Sequence, residues 1–361
     1  MSDSFPIRKI DHIKFYSGNA KQAADWYHFV FGFDIVAYSG LETGVRTEAS
    51  YLLQQNDVRL LIASPLIPNH PIGELLGKHG DFVRDICFEV DNVKSAFDLA
   101  VSKGASPALE PTVLEDSFGK VEVASIHSYG DVLHTFINRD QFSGLFAPNY
   151  VPVNKKGESI GVEYVDHVVG NVELGGMNKW VEWYRNVLGF EQLIHFDDKD
   201  ISTEYSALMS KVMQSGNGRI KFPINEPAEG KRKSQIEEYL EFHGGPGVQH
   251  IALHTGNIIE TTKKLRERGL GFLSVPHSYY EDVPNRVGEI EETLSEIENL
   301  GILVDRDDEG YLLQIFTKPV EDRPTLFYEL IQRKGAKSFG KGNFKALFEA
   351  IEREQKIRGT L

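Results

Sequence analysis

Imidazoles and carboxylates are the side chains that most readily hold a divalent metal. Three of them, His167, His250 and Glu329, sit in short apolar strand-like runs: VDHVV, QHIAL and FYELI. They are 83 and 79 residues apart, and no compact motif of the HExxH kind ties them together. With 12 histidines and 53 acidic residues available, spacing alone selects nothing, and any one of the histidines reads more simply as a hydrogen-bonded strand residue. Glu329 is the more telling member. An ionised carboxylate among Phe327, Leu330 and Ile331 needs a compensating cation or must stay protonated. Two imidazoles and one carboxylate on one face would leave positions of an octahedral metal open, the arrangement favoured by non-haem Fe(II) oxygenases.

What joins the three is a repeat. Residues 10–33, IDHIKFYSGNAKQAADWYHFVFGF, match 165–190, VDHVVGNVELGGMNKWVEWYRNVLGF, in their Asp-His start, their Trp-Tyr pair and their Gly-Phe end. A weaker pair begins at DICFEV from residue 85 and HIALHT from residue 250, each a strand, a turn and an amphipathic helix stopping near Gly104 or Gly269. Short alternating segments follow each helix. The pattern predicts four strand–helix–strands modules starting near residues 8, 83, 163 and 248, two to a domain, with sheets polar on one face and enclosed on the other. The Pro-, Gly-, Asn- and Lys-rich stretch 141–160 is the expected linker, giving domains 1–150 and 151–361. In the N-terminal copy the counterparts of His167, His250 and Glu329 are His12, Asp85 and Thr135. The first domain has lost the set, so its expected role is structural.

Polar residues around the triad are costly in apolar strands unless their amides find partners. Gln249 precedes His250, Gln235 lies in RKSQIEEYL, and Gln314 shares a strand face with Phe316. In SALMSKVMQSGNGRIKFPINEP, an Asn217-Gly218 turn would place Ser210 opposite Asn225 on one sheet face. Near the C-terminus Phe344, Leu347, Phe348 and Ile351 fall at helical spacing. Phe339 and Phe344 bracket a glycine-rich stretch before that helix, which suits a segment that closes over the site and excludes water.

Composition narrows the rest. The 361 residues carry a net charge of −14, which disfavours general nucleic-acid binding, and 41% hydrophobic residues, which fits a folded chain of about two domains. One cysteine, Cys87, excludes an intrachain disulfide and a cysteine-rich metal site; in its run ICF it reads as a reduced core thiol. No signal-peptide core or bilayer-length apolar run is visible, so a cytoplasmic location without membrane contact is expected.

Six blocks, QHIAL, KFPINEP, KRKSQIEEYL, LLQIFTKPVEDRP, FYELIQRKG and FGKGNFKALFEAIE, resemble the 4-hydroxyphenylpyruvate dioxygenases. The N-terminal half is similar only to the general vicinal-oxygen-chelate pattern. The resemblance implies an α+β fold of two tandem vicinal-oxygen-chelate domains, four βαβββ modules forming open barrel-like mixed sheets, with a C-terminal gating helix. It implies Fe(II) on His167, His250 and Glu329, and the conversion of 4-hydroxyphenylpyruvate and O₂ to homogentisate and CO₂ in tyrosine and phenylalanine catabolism, by a homo-oligomer, dimer or tetramer. Polar roles toward substrate carry over onto Ser210, Asn225, Gln235, Gln249 and Gln314, and substrate-binding positions onto Pro223, Phe316, Phe339 and Phe344. The alternative on the same substrate is 4-hydroxymandelate synthase, which some replaced pocket residues would mark; Pro223, Asn225 and Phe316 favour the dioxygenase. A metal-free binding protein of the same fold leaves the retained triad without a reason, and the KFPINEP and GKGNFKALF blocks do not suggest an extradiol ring-cleaving enzyme.

Overall fold

A computed structural model describes residues 5–196, 207–228 and 230–361. Its N-terminal half runs β1 (Ile7–Tyr16), α1 (Ala20–Phe31), β2 (Asp34–Ser39), β3 (Glu48–Gln55), β4 (Val58–Pro65), α2 (Pro71–His79), β5 (Phe82–Val90), α3 (Val93–Ser102), β6 (Pro107–Asp116), β7 (Gly119–His127), β8 (Leu133–Phe142) and β9 (Val151–Lys155). The C-terminal half follows with β10 (Val162–Asn171), α4 (Met177–Leu188), β11 (Glu191–Phe196), β12 (Ala207–Gln214), β13 (Lys221–Ala228), α5 (Gln235–His243), β14 (Gly247–Thr255) and α6 (Ile258–Glu267). It ends with α7 (His277–Val287), α8 (Leu294–Leu300), β15 (Leu303–Arg306), β16 (Tyr311–Phe316), β17 (Phe327–Lys334) and α9 (Lys341–Arg358). The strands form two mixed sheets, ordered β6-β7-β8-β5-β1-β4-β3-β2-β9 and β11-β12-β13-β10-β14-β17-β16-β15. Apart from β9 the two orders are the same sequence of equivalent strands read from opposite ends. The repeat seen in the chain is therefore a repeat of topology. Strand β9 reaches past residue 150 to pair with β2, so part of the expected linker belongs to the N-terminal sheet.

Local chemistry explains the repeated letters. The Gly-Phe ends are helix stops: Gly32 and Gly189 cap α1 and α4 at φ 71° and 64°, the left-handed region that glycine enters without a Cβ penalty. The Trp-Tyr pairs have a different purpose. Tyr27 of α1 packs on its own sheet but bonds its hydroxyl to Tyr328 on β17, at 2.8 Å. Tyr184 of α4 does the same in reverse, meeting His134 Nε2 on β8 at 2.7 Å. Each helix thus reaches the strand of the other half that carries Glu329 or Thr135, one residue before it. Burial holds His134 down to about 4, so it is neutral and suited to a buried hydrogen bond.

The expected polar face fails for β14, β16 and β17, which are buried along nearly their whole lengths. The reason is cover on both sides: α6 packs on β17, while α5 and α9 lie over β14 and β15. At the junction of the halves Phe222 is fully buried, stacked on Phe190 with ring centroids 5.9 Å apart and 6.1 Å from Phe88 of the N-terminal sheet. Phe222→Ala is expected to destabilise the protein by about 3–5 kcal/mol. Urea denaturation should show an earlier first transition, and an unchanged midpoint would refute a shared core. No helix among the described residues is long and apolar enough to cross a membrane.

Candidate metal centre and active site

Strands β10, β14 and β17 lie side by side in the C-terminal sheet and carry His167, His250 and Glu329. His167 Nε2 and His250 Nε2 stand 3.2 and 3.4 Å from the same oxygen, Glu329 Oε2. Ligands about 2.1 Å from one metal ion are about 3.0–3.4 Å apart at cis-octahedral or tetrahedral angles. All three side chains are buried. A compact trio of donors with open space on one side suits a divalent ion with free coordination positions.

Each imidazole is held by its other nitrogen, and a bulge supplies the holder. Pairing of β10 with β14 slips one residue between Val165 and His167 and again between Val169 and Gly170. A bulge turns adjacent residues toward one face, where strict alternation would separate them. The first slip lets Asp166 Oδ1 reach His167 Nδ1 at 2.8 Å, and the second lets Gln249 Oε1 reach His250 Nδ1 at 3.0 Å. With Nδ1 donating, Nε2 keeps its lone pair for a metal. Asp166 is clamped by Arg333 through two bonds of 2.8 Å, and Arg333 also donates to the carbonyls of Ala336 and Ser338. The guanidinium lies 5.6 Å from the ring centre of Phe339, whose edge meets the His167 ring at 5.0 Å.

Glu329 accepts from Gln314 Nε2 at 2.9 Å, and Gln314 Oε1 accepts from Asn343 Nδ2 at 2.8 Å. This chain ties the carboxylate to the first turn of α9. Gly340 caps that helix because a Cβ there would lie 2.2 Å from Gln314 Oε1. Without a metal the charges adjust to each other. Burial disfavours a charged His167, but Glu329 and Asp166 outweigh it and raise its pKa. At His250 burial dominates and lowers it. Burial opposes the Glu329 carboxylate as well, yet the two imidazoles hold it down at about 2, so the donor oxygen is ionised at neutral pH.

The trio faces a cavity with ≈ 650 Å³ of empty space, within the range of small-molecule sites. All of the sequence-selected residues line it: Ser210, Pro223, Asn225, Gln235, Gln249, Gln314, Phe316, Phe339 and Phe344 together with His167, His250 and Glu329. Ser210 does pair with Asn225, in the register that an Asn217-Gly218 turn requires. Gln235 opens α5, where a capping box between Ser234 and Glu237 fixes the helix start. Phe344, Leu347 and Phe348 of α9 wall the cavity, whereas Ile351, on the same stripe, lines a neighbouring one. Among the described residues, no lysine or arginine lines it. An anionic ligand would therefore find its countercharge at a bound metal.

Sequence reasoning missed Asp166, Arg333 and Asn343. The signal for the first two was present, because Asp precedes His in both first strands and Arg ends both FYELIQR and HTFINR. The N-terminal copy repeats the clamp: Asp11 Oδ1 meets His12 Nδ1 at 2.6 Å, Arg139 binds both Asp11 oxygens, and Phe146 lies against His12. Its ligand positions differ. Strand register aligns Asp85 with His250, Thr135 with Glu329 and Lys14 with Val169. Asp85 is bonded to Thr135, and burial raises its pKa. Asp11, His12 and Cys87 also cluster, but Asp11 is taken up by Arg139 and Arg59, and burial pushes the Cys87 thiol well up.

The family model of the glyoxalase/bleomycin resistance protein/dioxygenase superfamily matches residues 9–120 and 164–315, one match in each half. The curated 4-hydroxyphenylpyruvate dioxygenase of Yarrowia lipolytica is 48% identical over 98% of this chain and 94% of its own. That of Dictyostelium discoideum is 47% identical over 97% of this chain and 99% of its own. The chain belongs to the 4-hydroxyphenylpyruvate dioxygenase family. The dioxygenase of Danio rerio, at 48% identity over 97% of this chain and 91% of its own, agrees. Among solved structures, a triple mutant of 4-hydroxymandelate synthase from Streptomyces coelicolor superposes with a TM-score of 0.87 at 31% identity, covering 97% of this chain and all of that one. The family's tandem vicinal-oxygen-chelate fold is therefore the fold of this chain, and its two family-model matches fall on the two sheets.

Proposed function

We propose that His167, His250 and Glu329 hold Fe(II), and that the cavity beside them converts 4-hydroxyphenylpyruvate and O₂ to homogentisate and CO₂. The observation that carries this is the buried two-histidine, one-carboxylate trio facing an amide- and phenyl-lined cavity with no fixed cation among its described residues. Bound there, Fe(II) supplies chelation of the α-keto acid and activation of dioxygen. The trio contributes one negative charge, so a divalent ion leaves the centre at +1 and an α-keto carboxylate brings it to neutrality. That balance accords with a described wall that holds no lysine or arginine.

The chain's own residues do the positioning. Gln314 orients Glu329, Gln249 and Asp166 fix the two imidazoles, and Phe316 and Phe339 limit the plane in which an aryl ring can lie. The Ser210–Asn225 pair and Gln235 offer hydrogen-bonding groups to the polar ends of the substrate. Helix α9 supplies an apolar cover whose role in this reading is to exclude water while the oxidant exists. Residues 1–150 act as structural support, which accords with the ion-paired and hydrogen-bonded state of their ligand positions. Exposed Val113 and Phe118 on the β6–β7 edge suit assembly into a homo-oligomer.

The competing reading is 4-hydroxymandelate synthase, whose structural likeness is strong but whose identity of 31% is below the 45–48% of the dioxygenases. Anaerobic loading with Fe(II), followed by O₂ and 4-hydroxyphenylpyruvate, separates the two by product. Homogentisate with one CO₂ per turnover is expected. Hydroxymandelate would select the synthase, and absence of CO₂ release would refute both.

A further inference from the structure

We propose that the cleft between the two halves of the chain binds a small multivalent phosphate, held by Lys9 on one side and by Arg219 and Lys221 on the other. The cleft has ≈ 1020 Å³ of empty space, part of it open to solvent, and is lined by these three cations with Asp57, Tyr164 and neighbouring backbone. Three cations against one carboxylate make a local positive field in a chain of net charge −14. The cations are also poorly compensated. Lys9 is 3.8 Å from Glu89, and the side chains of Arg219 and Lys221 have no hydrogen bond or ion pair among the described residues.

The internal repeat shows that this is not what the scaffold requires. Strand register aligns Lys221 with Arg59 of the N-terminal half. Arg59 is neutralised, lying 3.6 Å from Asp11 and donating to Gln54. Lys221 is half-buried and forms no ion pair among the described residues; burial lowers its pKa, and the opposing pull of Asp166, itself held by Arg333, does not make up for it. A bound phosphate would supply the missing countercharge and join the two halves. Tyr164, stacked on His254 at 4.5 Å, adds a flat surface at the cleft wall.

The probe is inorganic pyrophosphate, titrated by calorimetry at constant ionic strength into the full chain with and without its metal. Binding that persists after metal removal, raises the thermal midpoint and weakens at least tenfold in Lys221→Met and in the exposed-site variant Arg219→Gln is expected. Tighter binding of ATP than of pyrophosphate would assign the ligand to nucleotides, and equal binding to simpler phosphates. Binding that disappears with the metal, or that is equal in the parent and Arg219→Gln, would overturn the proposal.

Discussion

Glu329→Ala is expected to lose bound metal and to lower turnover by on the order of a thousandfold or more, while far-ultraviolet circular dichroism stays unchanged. The magnitude follows from the several kcal/mol of charge stabilisation that a metal contributes to a reacting oxygen centre. Loss of the carboxylate removes the oxygen that stands 3.2 and 3.4 Å from both imidazoles. Two neutral imidazoles alone hold a divalent ion weakly. The fold should survive, because Glu329 is not a member of the apolar cores and its departure removes a buried charge rather than stranding one. Gln314 would lose its acceptor at Oε1 but keep Asn343. Glu329→Gln sharpens the result, since it preserves volume and removes only the charge. Metal analysis and oxygen uptake are the measurements; full occupancy or near-parental turnover in either variant would sink the assignment.

Arg333→Met is expected to cost about 3–5 kcal/mol of stability and to weaken metal binding about 10–100-fold in the protein that remains folded. The first effect arises because Asp166 is buried and would lose both of its guanidinium bonds. The second arises because Asp166 holds His167 and Arg333 fixes the segment that carries Phe339 against the same ring. The repeat provides a control within the molecule. Arg139→Met breaks the equivalent clamp on Asp11, which keeps Arg59 at 3.6 Å, so it should destabilise by less. It should leave metal affinity unchanged. Chemical denaturation gives the first quantity and competition with a chromogenic chelator gives the second. Equal losses of metal affinity in the two variants would show that the clamp acts on the metal site only through global stability.

The same clamp in both halves, with ligands in one only, separates two kinds of constraint. Asp, Arg and Phe around each first-strand histidine maintain a buried charge between interior strands, and they persist in the half that lacks the two-histidine, one-carboxylate trio. The ligands themselves were free to change: the N-terminal half keeps a histidine at the first position and has a carboxylate and a threonine at the other two. That difference was legible before any coordinates, since His12, Asp85 and Thr135 could be read off the repeat. The clamp was less legible. Its members lie 167 residues apart in the chain, and a carboxylate next to a strand histidine should face the opposite side of the sheet.

The amino-acid sequence by itself determined the four modules, their helix stops, the hairpin register that pairs Ser210 with Asn225, and the residues that line the cavity. The modules, stops and register follow from period, turn chemistry and comparison of the two copies, all of which act over short stretches of chain, and the cavity positions follow from the resemblance carried by the six blocks. Only the tertiary structure decided how the pieces meet. The bulges at Asp166 and Gln249 exist because particular strands pair, the Trp-Tyr helices exchange hydroxyl bonds because each packs against a strand of the other half, and Asn343 reaches Gln314 because α9 docks over the sheet. Such contacts depend on where distant segments come to lie, and no local pattern carries that information.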